Sequence, residues 1–83
     1  MANYEESLET TCQLLRRHVD DATTINPTDH IQKDLGLDSL SVMELVADLE
    51  AKFGVSVPSE MYGGIETVAD VARAVSKLTL SPT

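Results

Sequence analysis

The stretch Asp38-Ser39-Leu40-Ser41-Val42-Met43-Glu44-Leu45-Val46-Ala47-Asp48-Leu49-Glu50-Ala51-Lys52-Phe53-Gly54 decides how this chain folds. On a helical wheel at about 100° per residue, Val42, Leu45, Val46, Leu49 and Phe53 share one arc. Leu40, Met43, Ala47 and Ala51 share a second. Ser39 and Glu50 lie between the arcs on one side, and Ser41, Glu44, Asp48 and Lys52 on the other. Asp38 is a good N-cap, because its carboxylate accepts from free first-turn N–H groups. Gly54 stops the helix at the position where a left-handed residue is wanted. The spacing therefore predicts a helix over 39–53 with the first arc in the core. The second arc has two possible destinations. It can face solvent as an apolar strip bordered by carboxylates, which is how a docking surface looks, or tuck under a neighbouring loop as ordinary core. In the first case the acids steer a basic partner and Leu40 and Met43 supply contact area, methionine being flexible and polarizable.

Upstream, Tyr4, Leu8, Cys12, Leu15 and Val19 recur at steps of four and three, the stripe of an amphipathic helix ending near Val19. Glu5, Glu6 and Glu9 come early and Arg16, Arg17 and His18 late, which suits the helix dipole. A long connection with Pro27 and Gly36 follows, carrying Ile25, Ile31, Leu35 and Leu37. Loops of this length tend to be functional, and its apolar residues predict that it packs across the helices, with a short helical turn available at Thr28–Gln32. After Gly54, Val55-Ser56-Val57-Pro58 is extended, because the residue before proline avoids the α region. One helical turn over Pro58–Tyr62 ends at Gly63-Gly64. The last helix opens at Thr67, with Asp70 three residues on in a capping-box arrangement, and its buried stripe is Val68, Val71, Ala72, Val75 and Leu78. The tail Ser81-Pro82-Thr83 is expected to fray. No internal repeat and no strand-like alternation is present. The fold class is all-α: a small three- to four-helix bundle with a long loop between helices one and two.

Composition narrows what such a bundle can do. The 83 residues carry 14 Asp plus Glu against 6 Lys plus Arg, a net charge of −8. A nucleic-acid or anionic-membrane binder needs a basic face to displace counterions, and this balance cannot supply one. Eight acids (Asp20, Asp21, Asp29, Asp34, Asp38, Glu44, Asp48 and Glu50) and one base, Lys33, fall between positions 20 and 50, gathering charge around one helix. A single cysteine, Cys12, excludes an internal disulfide and a multi-cysteine zinc site. No apolar run approaches the roughly 18 residues of a membrane span, and the start lacks a signal-peptide pattern. The expectation is a free-standing cytoplasmic domain over 1–83, ordered from about 4 to 78, and monomeric.

A chain this small buries only about 60% of its unfolded surface, so a walled active site is not expected. Ser39 is the residue with chemical promise. It opens a helix, where free N–H groups and the dipole favour an anion by about 0.3–1 kcal/mol, so a phosphate ester there would be stabilised; the plain alternative is that it only starts the helix. Its flanks are no nucleophile elbow, and neither His18 nor His30 comes with the rest of a triad. Those histidines lie in different elements without paired metal-ligand spacing. A calcium loop from Asp34 fails because Ser39 and Leu45 stand where glycine and glutamate are needed.

Asp34-Leu35-Gly36-Leu37-Asp38-Ser39-Leu40 followed by Glu44-Leu45 resembles the attachment motif of acyl carrier proteins. The likeness continues through Leu49-Glu50-Ala51-Lys52-Phe53-Gly54, Val57-Pro58-Ser59-Glu60 and Thr67-Val68-Ala69-Asp70-Val71, and so covers nearly the whole chain. The resemblance implies a carrier, not an enzyme: 4′-phosphopantetheine esterified to Ser39 by a separate phosphopantetheinyl transferase, with acyl groups held as thioesters on the arm. It implies docking through Asp38, Leu40, Met43, Glu44, Ala47 and Glu50 to that transferase, an acyltransferase or ligase, a ketosynthase and other pathway enzymes with basic surfaces. A sequestered acyl chain would lie among Val42, Leu45, Val46, Leu49, Val68 and Val71. Leu37 stands where peptidyl carriers usually have a second glycine, which favours fatty-acid or polyketide chemistry over an aminoacyl or peptidyl carrier. Met61-Tyr62-Gly63-Gly64 replaces a more charged short helix common in fatty-acid carriers, and Ala51 and Lys52 interrupt the usual run of acids; both lean toward specialised, polyketide-type metabolism. The competitor from another class is an unmodified acidic helical adaptor that binds through the Leu40/Met43/Ala47 strip.

Overall fold

Asn3 begins the first helix: its Oδ1 accepts the Glu6 N–H at 2.8 Å, and α1 runs Tyr4–Leu15. The computed structural model describes residues 3–80, without the side chain of Leu80; the Ser81-Pro82-Thr83 tail lies outside the described residues. α2 is Ser39–Phe53, a 3₁₀ helix spans Ser59–Gly64, and α3 is Val68–Leu80. Among the described residues the one β pairing is an isolated antiparallel bridge between His30 and Thr67. The protein is thus an all-α bundle of three main helices and a minor one.

α2 has the expected bounds, and Gly54 closes it at φ 66° with its N–H donated to the Glu50 carbonyl. α1 differs from the expectation twice. It ends at Leu15 rather than Val19, because Arg17 and His18 donate to Leu14 and Leu15 in tighter three-residue turns. Val19 still packs on the core from beyond the helix end. The buried face is also rotated: Ser7 and Thr11 are fully buried beside Leu14 and Leu15, while Tyr4, Leu8 and Cys12 are half-buried. The cause is the neighbouring helix. α1 and α3 form the closest helix pair, with small residues, Ala72 and Ser76, buried on α3. Thr11 Oγ1 donates to the Ser7 carbonyl at 2.7 Å, but the buried Ser7 Oγ has no partner among the described residues.

The long connection packs down as expected. Ile31 and Leu37 are buried in the core, and Ile25 and Leu35 rest against it. The turn expected at Thr28–Gln32 is displaced, its helical bonds starting at His30, whose carbonyl accepts from Asp34 and Leu35. Residues 27–31 are instead stapled to the head of α3. Ile31 N–H donates to Glu66 O at 2.9 Å, Val68 N–H to Asp29 O at 3.0 Å and Ala69 N–H to Pro27 O at 2.9 Å. The 3₁₀ helix runs through both glycines rather than stopping at them, and Ile65 closes it by donating to Tyr62. At α3 the capping box is reciprocal: Asp70 N–H donates to Thr67 Oγ1 at 3.1 Å, and Thr67 N–H to Asp70 Oδ2 at 3.0 Å. Val68, Val71, Ala72 and Val75 are buried as predicted, whereas Leu78 is half-buried and Ala69 and Ser76 join the covered face.

Candidate functional site

α2 presents two faces. Leu45, Val46 and Leu49 are 2% exposed or less and hold the helix against the core; each full burial contributes about 1.5–3 kcal/mol before entropy is counted. On the other face Leu40 is 65% and Met43 58% exposed, and Ala47 and Ala51 are exposed too. The loop does not cover this arc. Of the two destinations open in the sequence, the structure takes the solvent-facing one.

At the head of that exposed strip stand Asp38 and Ser39. Asp38 has extended backbone (φ −86°, ψ 177°), and its Oδ1 accepts the Ser41 N–H at 2.8 Å. Hydrogen bonds from the Ser41 backbone and then its hydroxyl hold the Asp38 carboxyl below the ordinary aspartate range. Ser39, the first residue of α2, is exposed. Just before it, Gly36 at φ 77° reverses the chain, a conformation that costs glycine little, and buried Leu37 anchors the approach. The result is a primary hydroxyl in solvent at a helix N-terminus, between a buried leucine and an exposed one.

The remaining expected docking residues separate in space and partner. Glu44 is exposed on α2 beside the apolar strip. Glu50 is half-buried, its Oε2 accepting the Val57 N–H at 2.7 Å, so this carboxylate ties the 55–58 segment to α2. Nothing in the sequence announced that contact, because its partner is seven residues away and is a backbone group. Asp48 lies 3.7 Å from Arg17 on the surface, a pair of little energetic weight. Tyr62, on the 3₁₀ helix, is the third large apolar side chain exposed among the described residues; a six-residue 3₁₀ segment offers no periodicity that could have marked it. His18 and His30 are in separate elements, and among the described residues no group of three or more His, Cys, Asp or Glu could hold a metal ion. Cys12 is half-buried, and burial pushes its thiol pKa up. The side chains considered as a cargo lining are packed: Leu45, Val46, Leu49, Val68 and Val71 are buried, with Val42 half-buried at the edge.

Comparison with known proteins agrees with this geometry. The model of one protein family, described as a phosphopantetheine attachment site, matches residues 8–75. The acyl carrier protein of Helicobacter pylori strain G27 is 46% identical over 55 residues, covering 66% of this chain and 70% of the relative. That of strain ATCC 700392 / 26695 matches with the same identity and coverage. The chain belongs to the acyl carrier protein family, the phosphopantetheine-attachment class of small carrier domains. Its covalent prosthetic group is 4′-phosphopantetheine. The residues present suit that group: an exposed serine hydroxyl at a helix N-terminus gives a phosphodiester room and a favourable dipole. Among the described residues, no helix is long and apolar enough to cross a membrane.

Proposed function

We propose that Ser39 bears the phosphopantetheine and that the chain serves as an acyl carrier in the cytoplasm. The observation that carries the proposal is the exposure of Ser39 at the first position of a helix whose outer face is apolar and rimmed by acids. In the attachment step the Ser39 hydroxyl gives up its proton and its Oγ forms a bond to the pantetheine phosphorus of coenzyme A. The phosphoanhydride bond breaks, and the nucleotide portion leaves. When bound, the arm supplies a terminal thiol on which acyl groups are held as thioesters.

The chain's own residues do the rest. Asp38 keeps its charge turned into the cap, limiting repulsion of the neighbouring phosphodiester in high-dielectric solvent. Leu40, Met43 and Ala47 offer the apolar contact, and Asp38 and Glu44 the charge, for basic docking surfaces on the transferase, an acyltransferase or ligase, and a ketosynthase. Glu50 contributes by fixing the far end of the same helix. Leu37, and the uncharged Met61-Tyr62-Gly63-Gly64 segment, favour fatty-acid or, more so, polyketide-type synthesis over an aminoacyl carrier.

The test is intact-protein mass spectrometry after incubation with coenzyme A and a broad-specificity phosphopantetheinyl transferase, with Ser39→Ala run alongside. A single phosphopantetheine gained by wild type alone is the expected result. No gain on folded wild type, with a control carrier modified in the same mixture, would point to the unmodified adaptor and contradict the proposal.

A further inference from the structure

His30 stands at the head of the turn that delivers the chain to Ser39, in the position of an N-cap. Its Nδ1 accepts the N–H groups of Gln32 at 3.2 Å and Lys33 at 3.1 Å. Its own backbone N–H donates to Asp34 Oδ2 at 2.7 Å. This is the reciprocal logic of a capping box, with an imidazole where serine, threonine, aspartate or asparagine is usual. Within the turn, Asp34 and Leu35 donate to His30 O, Gly36 to Gln32 O and Leu37 to Ile31 O. Leu37 then enters the core, and Asp38 and Ser39 follow directly. His30 also pairs with Thr67, the capping residue of α3, so the heads of the turn and of α3 lie side by side.

An imidazole nitrogen accepts hydrogen bonds only while its lone pair is free. The tautomer protonated at Nε2 can take both amides, and the imidazolium can take neither. Histidine is the side chain that makes this change in the mildly acidic range; asparagine, serine or threonine would cap without doing so. The charged groups on the elements beside it are Lys33 and Asp34 on its own turn, Asp29 before it, and Glu66 and the Asp70–Arg73 pair at the head of α3 across the bridge. What protonation removes is the acceptor.

We propose that His30 is a positioning residue for Ser39: neutral, it holds the 30–36 turn through Nδ1, and protonated, it releases that turn, so that attachment at Ser39 slows as pH falls. The inference rests on the assignment of Ser39 made above. Its test uses the full chain as wild type, His30→Asn and His30→Ala. Amide hydrogen exchange at Gln32 and Lys33 is followed between about pH 5 and pH 8, each value taken as a ratio to His30→Asn so that intrinsic exchange cancels. Initial rates of phosphopantetheine loading are measured at the same pH values as the same ratio, which cancels the transferase's own pH dependence.

Wild type should match His30→Asn at the upper end and lose protection by roughly fivefold at the lower, the size of one lost cap. The loading ratio should fall with it, and His30→Ala should be poorly protected throughout. A flat exchange ratio with normal loading would overturn the inference alone, as would a falling exchange ratio with flat loading. No loading at any pH, with a control carrier modified, would overturn the Ser39 assignment and with it the positioning role, while the exchange data would still report whether the imidazole holds the turn.

Discussion

α2 and α3 both start at a carboxylate-anchored cap, and they use it in opposite ways. At α3 the cap is closed: Thr67 and Asp70 satisfy one another, Asp70 also accepts from Glu66 and pairs with Arg73 at 2.6 Å, and the loop is stapled alongside. At α2 the cap is open. Asp38 turns its carboxylate to Ser41, and Ser39 beside it leaves its hydroxyl in solvent. α3 is secured at its head as well as along its length, whereas α2 is held by its inner face and, at its far end, by the Glu50–Val57 bond. An accessible head suits α2 to the attachment role proposed for Ser39, and the core behind it supplies rigidity.

The largest expected effect strikes that inner face. Leu49→Ala should destabilise the fold by about 2–5 kcal/mol, read by urea denaturation; a change near zero would mean that α2 is held by its ends after all. On the outer face, Leu40→Ala and Met43→Ala should leave stability within about 0.5 kcal/mol of wild type. They should nevertheless slow transferase loading by roughly fivefold or more. Loading at the wild-type rate would remove the strip from the docking account.

The closed cap makes a sharper contrast. Thr67→Ala should cost about 1 kcal/mol. Asp70 has its pKa lowered, first by the Thr67 amide, an effect partly opposed by desolvation and reinforced by Glu66, Arg73 and the Thr67 hydroxyl. A carboxyl whose pKa is lower in the folded state contributes stability above its unfolded pKa and loses it as pH falls through the folded one. Stability should therefore drop on acidification below the ordinary aspartate range, and Asp70→Asn should flatten that drop. An unchanged acid limb would show that the box is not a source of pH-dependent stability. An effect of similar size and opposite sign is expected at the α1–α3 seam, where Ser7→Ala removes a buried hydroxyl without a partner among the described residues and should stabilise by about 1 kcal/mol. A loss of stability on thermal melting would mean that the hydroxyl is satisfied in solution.

What the sequence made legible follows from the range of the forces involved. Asp38, Gly54 and the Thr67/Asp70 pair act over three or four residues, and the structure has them where local spacing puts them. The stripe of α1 shows only part of its buried face: Leu15 is buried and Leu8, Cys12 and Val19 pack against the core, but hydropathy marks large apolar residues, while the close approach of α3 also buries small polar ones, Ser7 and Thr11. Periodicity could display both arcs of α2 but could not choose which faced water, since that depends on where a loop of another sequence region lies. The roles of Glu50 and His30 were hidden for a related reason: each is defined by backbone N–H groups, which every residue but proline carries.

One hydroxyl, that of Ser39, is proposed as the attachment point, and a second serine two positions on in the same turn offers a rival. Fragment-ion mapping of the loaded protein would place the added group on a single side chain. Phosphopantetheine is expected on Ser39 and not on Ser41, whose amide and hydroxyl are engaged with Asp38. Modification at Ser41, or at any residue away from the head of α2, would contradict it.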